Sequence, residues 1–371
     1  MRPRDLAKLL DFTIERRLPV LVPGAPGIGK TEIICQAAAR AGADVIVSHP
    51  VVSDPTDAKG LPWPDAKGES ARFLPFGDLA MAIAATKPTV WLLDDLGQAS
   101  PAVQASFMQL LLARRVNDHI LPDCVTFIAA TNRRTDRAGV SGILEPVKSR
   151  FATIASLEVD LEDWGHWWME KHKAIWNEEK CAPRDLLSFL RYRAHLLHVF
   201  EPTADLTNGP SPRTWNHACS FMGSELSPDV RLAALSGAVG SGAASELEGF
   251  LRTIADLQPL DEIIADPEHA RIPPTSNPSA RCAVATGLAS KADVKTLKPI
   301  LRYAERMYNE AEGGEYAALI MRDIFHRDSA AQQVLIRTND WLQMSFGPLG
   351  TLVSGQDFEP SPAPTSRKTR R

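Results

Sequence analysis

The segment of this sequence with the clearest chemistry is a glycine-rich stretch near its start. Gly24-Ala25-Pro26-Gly27-Ile28-Gly29-Lys30-Thr31 matches the pattern G-x-x-x-x-G-K-[ST] and follows the apolar run Val20-Leu21-Val22. Between a strand and a helix, such glycines let backbone N–H groups and the helix N-terminus face phosphate oxygens. The ammonium of Lys30 would then lie near the β- and γ-phosphates, and the hydroxyl of Thr31 would ligate Mg²⁺. These eight residues predict a binding site for a nucleoside polyphosphate.

Two acidic residues stand directly after a second apolar run. Val90-Trp91-Leu92-Leu93 is followed by Asp94 and Asp95. In phosphoryl-transfer sites a carboxylate at the end of such a strand holds Mg²⁺, and another group positions the nucleophile. We predict that Asp94 holds the metal together with Thr31 and that Asp95 is the catalytic base. By itself the pair could equally open a loop after a buried strand, and the upstream phosphate loop favours the catalytic interpretation.

The spacing of apolar residues predicts the elements that position these groups. Short apolar runs alternate with helical segments over about the first 160 residues, which is the pattern of a parallel sheet covered on both faces. Beyond about Asp160, helical spacing replaces this pattern. The prediction is an α/β domain followed by helices, with strands at residues 19–22, 45–48, 89–93, 125–129 and 152–159.

Later segments resemble the remaining motifs of the AAA+ ATPases. Ile128-Ala129-Ala130-Thr131-Asn132 resembles the sensor 1 strand, and the resemblance implies that Asn132 orients the attacking water. Ser211-Pro212-Arg213-Thr214-Trp215 resembles sensor 2, which implies that Arg213 opens a helix and folds over the phosphates of its own subunit. An arginine that simply begins a helix remains the alternative for that position.

A third segment resembles the region that carries an arginine finger. Leu144-Glu145-Pro146-Val147-Lys148-Ser149-Arg150-Phe151 implies that Arg150 reaches the nucleotide of a neighbouring subunit and stabilises charge on the transferring phosphoryl group. Arg133, Arg134 and Arg137 lie close in the sequence and compete for this role.

Members of the superfamily usually carry Glu where this chain has Asp95, which reaches one methylene less far. The shorter side chain leaves two alternatives open, slow hydrolysis or assembly stabilised by ATP.

Within the superfamily, the chain resembles the MoxR-like branch with its helix 2 insert. Residues 61–79 have the pattern of a hairpin closed near Lys67-Gly68, and residues 116–123 resemble the second hairpin insertion. Either segment could also be an ordinary surface turn. The resemblance covers residues 1 to about 255.

This resemblance implies an AAA+ P-loop domain over residues 1–159 and a helical lid with sensor 2 over 160–265. Helical spacing further along the chain predicts a helical extension over 266–354. Residues 266–280 are proline-rich and are expected to form an extended linker, and the basic tail, 355–371, is expected to be disordered. The implied function is Mg²⁺-dependent ATP hydrolysis, with ADP as product, by a ring, most often a hexamer. The ring would remodel or activate a client protein that carries a von Willebrand A domain with a metal-ion-dependent adhesion site.

Two other functions remain open. A nucleic-acid motor or loader would use the same hairpins, but the first insert carries a balanced set of charges, Asp65, Lys67, Glu69 and Arg72, which does not favour a nucleic-acid partner. A non-hydrolysing scaffold gated by ATP is motivated by Asp95.

Composition limits the class of protein. The 371 residues include 41 Lys and Arg against 45 Asp and Glu, a net charge of −4, which argues against a broad phosphate-binding surface. Apolar residues make up 44%, but no run approaches the roughly 18 that a membrane-spanning helix needs. With no secretory segment at the N-terminus, we expect a cytoplasmic protein without membrane insertion. The five cysteines form no Cys-x-x-Cys pair suited to zinc.

Overall fold

The computed structural model describes residues 1–64, 68–136, 142–178, 180–201, 206–325 and 349. The strands in these ranges are β1 Val20–Pro23, β2 Asp44–Ser48, β3 Leu61–Pro64, β4 Ala71–Leu74, β5 Thr89–Leu93, β6 Arg115–Val116, β7 His119–Ile120, β8 Val125–Thr131 and β9 Thr153–Ile154. The helices are α1 Pro3–Arg16, α2 Lys30–Arg40, α3 Pro55–Lys59, α4 Gly77–Ile83, α5 Pro101–Ser106, α6 Met108–Ala113, α7 Glu145–Lys148, α8 Leu161–Lys171, α9 Ala182–Tyr192, α10 Pro212–Met222, α11 Pro228–Val239, α12 Ser241–Ala255, α13 Leu260–Ala265, α14 Pro278–Ser290, α15 Leu297–Tyr308 and α16 Gly314–Phe325. None of these helices is long and apolar enough to span a membrane.

A five-stranded parallel sheet has the order β2-β5-β8-β1-β9. Every residue of β5 and β8 is buried. Alternate side chains enter two different cores, with Trp91 and Leu93 on one face and Val90 and Leu92 on the other. This double burial explains the continuous apolar runs. The predicted fold class, α/β with a parallel sheet followed by helices, is confirmed.

Four of the five predicted strands match the observed ones closely. The fifth, predicted at residues 152–159, is limited to Thr153–Ile154. The chain stays extended beyond it, because the N–H groups of Ala155 and Leu157 still donate to the carbonyls of Leu21 and Pro23, both at 2.8 Å. The predicted strand was therefore too long, although the chain is extended beyond it as a strand would be.

Two antiparallel hairpins project from this domain where the sequence predicted them. β3 pairs with β4 and β6 pairs with β7, while residues 65–67 of the first turn lie outside the described ranges. Nδ2 of the Asn117 side chain donates to the Lys59 carbonyl at 2.8 Å, and Nε2 of His119 lies 2.9 Å from the Phe73 carbonyl oxygen. These contacts join the two hairpins. All residues of β3 and β4 are exposed, and Trp63 is 59% exposed.

The chain divides into two compact units, each built from two segments. The first comprises Met1–Trp164 and Ala194–Ala244, and the second comprises Gly165–Arg193 and the described residues from Ser245 onward. The domain boundaries given from the sequence follow chain order and stay a prediction.

The second unit is helical, and its core contains residues from α13 to α16. A buried bidentate ion pair joins α9 to α16, with Arg191 Nη1 and Nη2 at 2.5 and 2.7 Å from the carboxylate oxygens of Asp323. Residues 266–280, predicted as an extended linker, form no helix up to Asn277, and α14 begins at Pro278. Part of the segment packs against the core, since Ala270 is 5% exposed and the Tyr303 hydroxyl donates to the Arg271 carbonyl at 2.9 Å. The predicted linker was three residues too long, because proline is tolerated in the first turn of a helix.

We expect Asp185→Asn to stabilise the protein. Burial raises the pKa of Asp185 to about 6, against the opposing charge of Arg184. The folded state thus holds this proton more tightly than the unfolded state, so ionisation costs stability as pH rises from about 4 to 6. Because Asp185 also lies in the first turn of α9, where a negative charge is favoured, the gain at pH 8 should be about 1–3 kcal/mol.

Urea unfolding at pH 8 and pH 4.5 tests this prediction, and the gain should shrink at the lower pH. Asp293→Asn is the matched control, since the Thr296 N–H holds the pKa of Asp293 below its usual range and the substitution should destabilise at pH 8. A gain from Asp185→Asn that is equal at both pH values would contradict the electrostatic explanation.

Candidate active site

The glycine-rich loop joins the end of β1 to the start of α2. Gly27 and Gly29 have φ values of 74° and 94°, in the left-handed region that glycine adopts readily. A Cβ at Gly27 would also lie 2.9 Å from the Ser211 hydroxyl oxygen, so this position has no room for a side chain. The Gly24 N–H donates to the Thr131 carbonyl at 3.0 Å, which ties the loop to the end of β8.

Lys30 lies buried under this loop. Its ammonium donates to the carbonyls of Gly24 and Ala25 at 3.0 and 2.9 Å and to Oδ1 of Asn132 at 2.7 Å. Burial lowers the pKa of Lys30 to about 8, and the nearby charges of Asp95 and Asp94 oppose that shift. All three ammonium hydrogens therefore have acceptors within the chain, and a bound phosphate must compete with them.

Thr31 and Asp94 meet at the start of α2. The Thr31 hydroxyl donates to Oδ2 of Asp94 at 2.9 Å. Mg²⁺ prefers oxygen ligands, keeps several waters and takes few protein groups in nucleotide sites. A hydroxyl and a carboxylate in contact fit that ion, and these two side chains are the ones that would hold it.

Asp95 has an unusual backbone conformation for a residue other than glycine. Its φ is 56° and its ψ 34°, in the left-handed region, where Asp and Asn occur more often than other side chains. Burial, followed by the Asp94 charge, raises the pKa of Asp95, and the charges of Lys30, His49 and Arg213 oppose this. A raised pKa makes the carboxylate a stronger base. The left-handed backbone conformation, which Asp adopts more readily than most side chains, is a physical reason for Asp at this position.

Asn132 connects the lysine to the candidate base. Its Oδ1 accepts from Lys30, and its Nδ2 donates to Oδ1 of Asp95 at 3.3 Å. It is 8% exposed and follows β8, which lies between β1 and β5. The strand order therefore places this carboxamide between the phosphate loop and the acidic pair.

Arg213 reaches the loop from α10 of the same compact unit. Ser211 caps this helix by accepting from the Thr214 N–H at 3.2 Å, and the Thr214 hydroxyl accepts from the Ser211 N–H at 2.8 Å. The Arg213 N–H donates to the Gly27 carbonyl at 3.1 Å. Its charge influences the pKa values of both Lys30 and Asp95. The structure thus brings the predicted sensor 2 residue to the phosphate loop.

The arginines that compete for the finger role have different surroundings. Arg150 follows α7 and donates through Nε to the Met108 carbonyl at 3.1 Å and through Nη1 to the Pro146 carbonyl. Arg133 pairs with Asp136, whereas Arg134 is exposed. Arg137 lies outside the described residues.

A cavity of about 330 Å³ beside the loop was missed by sequence reasoning. Its lining combines loop residues with residues from three other segments of the same unit: Ala25, Ile28, Arg133, Leu157, Glu158, Val159, Leu161, Ala194, His195, Leu197 and His198. Burial, then the charge of Arg133, lowers the pKa of His198. The Trp215 indole N–H donates to the Leu196 carbonyl at 2.7 Å and so fixes the segment before His198. No sequence motif marks the lining residues outside the glycine-rich loop, because only folding brings them together.

Comparison with solved structures gives distant likenesses. RuvB from Thermotoga maritima, described as a Holliday junction branch migration motor, has a TM-score of 0.40 and 15% identity over 81% of this chain and 85% of that chain. NtrX from Brucella abortus in complex with ADP has a TM-score of 0.42 and 12% identity over 94% of this chain and 68% of that chain. No protein-family model and no curated protein matches. At these scores we draw no conclusion from the likenesses; the strand order and the element order show an α/β fold with a parallel sheet, in which the glycine-rich loop joins β1 to α2.

Proposed function

We propose that this chain is an Mg²⁺-dependent ATPase of the AAA+ type. The observation that carries the proposal is one continuous set of hydrogen bonds among residues from three separate segments, in which the Asp95 N–H donates to Oδ1 of Asp94 at 3.1 Å. Thr31 contacts Asp94 at 2.9 Å, while Asn132 contacts both Lys30 at 2.7 Å and Asp95 at 3.3 Å. These are the groups that phosphate binding, metal binding and water activation require, in contact with one another.

Each group has a distinct role in the proposed reaction. The loop amides and Lys30 bind the β- and γ-phosphates, and Arg213 contributes a further positive charge on the same side. Thr31 and Asp94 hold Mg²⁺, which when bound neutralises charge on the phosphate oxygens. Asn132 and Asp95 orient a water for attack on the γ-phosphorus, and Asp95 accepts its proton as the bond to the ADP oxygen breaks. Arg150 of a neighbouring subunit completes the site.

The cavity beside the loop accommodates the nucleoside half of the nucleotide. It begins at Ala25 and Ile28, so a nucleotide whose phosphates lie on the loop directs its ribose and base there. Apolar walls with a few polar groups are typical of such subsites. The proposed ligands are therefore ATP and ADP.

The remodelling role is the finer part of the proposal. The two linked hairpins and exposed Trp63 support a ring of the MoxR-like type, most simply a hexamer, that acts on a client protein with a von Willebrand A domain. The alternative is a motor on nucleic acid. Because the same projecting hairpins could contact DNA, single- and double-stranded DNA belong in the first experiment.

That experiment is steady-state phosphate release with Mg²⁺-ATP, with and without each form of DNA. Lys30→Ala removes the phosphate-binding ammonium, and Lys8→Ala, an exposed lysine of α1, is the control. We expect release that depends on Lys30 and is unaffected by DNA. Stimulation by DNA of about tenfold, about 1.4 kcal/mol in the barrier, would support the motor instead. Release that is absent, or equal in Lys30→Ala, would overturn the ATPase proposal.

Mixing two inactive variants tests whether Arg150 acts on a neighbouring subunit. Lys30→Ala subunits keep Arg150, and Arg150→Ala subunits keep an intact phosphate loop, so mixed rings should contain some complete sites. We expect the mixture to recover roughly a quarter of wild-type release at equal amounts if the finger is essential and subunits mix at random. Because Arg150 also donates to backbone carbonyls, thermal midpoints of both variants accompany the assay. No recovery from variants that fold and assemble would argue against a finger in trans.

A further inference from the structure

Arg133 lines the cavity beside the phosphate loop, in which we place the nucleoside. From the sequence alone it was a candidate arginine finger that would act on a neighbouring subunit. It follows Asn132 directly, at the end of β8. It lines the cavity together with Ala25 and Ile28 of the phosphate loop and with Leu157 on the apolar side. All of these residues belong to one compact unit of one chain.

The side chain of Arg133 is held in position by a buried carboxylate. Oδ2 of Asp136 accepts from the backbone N–H of Arg133 at 3.0 Å and from its Nε at 3.3 Å. The Asp136 side chain is 8% exposed, whereas the Arg133 side chain is 40% exposed. One edge of the guanidinium is thus fixed while part of the group stays accessible. A fixed guanidinium loses less conformational entropy on binding than a mobile one.

Among the described residues, two charged side chains line the cavity: the guanidinium of Arg133 and the carboxylate of Glu158, which is 71% exposed. Burial of the imidazole lowers the pKa of His198, and the charge of Arg133 lowers it further, so both disfavour a second cation at this wall. Lys30 is buried beneath the phosphate loop, where it contacts Gly24 and Ala25. Guanidinium groups donate to ring nitrogens and ribose oxygens and also stack on aromatic faces.

From this placement we infer that Arg133 binds the base and ribose of the nucleotide held by its own chain, with Asp136 as its positioning residue. The inference rests on the proposed function. It assigns Arg133 to nucleotide affinity within one subunit rather than to transition-state stabilisation in the neighbouring subunit. It also connects nucleoside binding to the catalytic groups, because the adjacent Asn132 contacts both Lys30 and Asp95.

The test compares a ligand that has a nucleoside with one that lacks it. Binding of ADP and of inorganic tripolyphosphate, both with Mg²⁺, is measured by calorimetry on the full chain and its variants. For Arg133→Ala we expect the ADP Kd to rise about tenfold while the tripolyphosphate Kd stays within about twofold. Arg133→Lys and Asp136→Asn should give intermediate losses for ADP alone. Arg40→Ala, at an exposed arginine that ends α2 and pairs with Asp11, is the control and should leave both affinities unchanged.

Three results would overturn the inference. These are an unchanged ADP affinity in folded Arg133→Ala, an equal loss for both ligands, and normal ADP binding with turnover that recovers on mixing with Lys30→Ala subunits. Thermal midpoints identify a variant that has lost its fold, and Arg133→Lys then provides the comparison. Wild-type protein that binds neither ligand would instead contradict the proposed function, so the two failures are distinguishable.

Discussion

Asp95→Asn should lower the turnover of ATP by about 10²–10⁴-fold, which is the contribution of a positioned general base. The amide keeps the size of the side chain and can still contact Asn132, but it has no carboxylate to accept the proton of water. ADP affinity should stay within about threefold of wild type, because ADP binding does not use the base. Steady-state phosphate release and calorimetry measure the two quantities.

Asp95→Glu separates reach from backbone conformation at the same position. Glu extends one methylene further toward the water, but it occupies the left-handed region less readily than Asp, and Asp95 has a φ of 56°. We expect Asp95→Glu to retain turnover within about tenfold of wild type, far above Asp95→Asn. Turnover in Asp95→Asn equal to that of wild type would show that another group is the base. Wild-type protein that binds ATP and releases no phosphate would favour the ATP-gated scaffold.

Asn132→Ala should uncouple nucleotide binding from hydrolysis. The Asn132 carboxamide accepts from Lys30 and donates to Asp95, so it competes with phosphate for one ammonium hydrogen. Without it, turnover should fall by about 10²–10³-fold, as it does when one transition-state donor is removed. ADP affinity should rise by about two- to fivefold, because a hydrogen bond to a charged group no longer has to be broken.

Calorimetry with ADP and phosphate release with ATP measure both effects in the same preparation. Asn117→Ala, which removes a partly exposed carboxamide of the second hairpin, is the matched control and should change neither quantity. Weaker ADP binding in Asn132→Ala would show that the contact with Lys30 organises the loop instead of competing with phosphate.

The sequence by itself determined the phosphate loop, the acidic pair and the class of fold. Gly27 and Gly29 occupy left-handed positions that favour glycine, and Thr89–Leu93 is apolar because both faces of its strand are buried. Motif spacing and the periodicity of apolar residues involve residues that are close in the sequence, so both can be recognised before the fold is known. Both hairpins were predicted for the same reason, since each forms between segments close in the chain.

Only the tertiary structure decided which distant residues surround that loop. It brought Asn132 between Lys30 and Asp95 through the order of strands, and it placed Arg133, a candidate finger residue, at the cavity wall. The left-handed conformation of Asp95 and the packing of residues 266–277 were likewise not visible in the sequence. Contacts between segments depend on strand order, burial and the path of the backbone, which arise from the packing of the whole chain and leave no fixed spacing in the sequence.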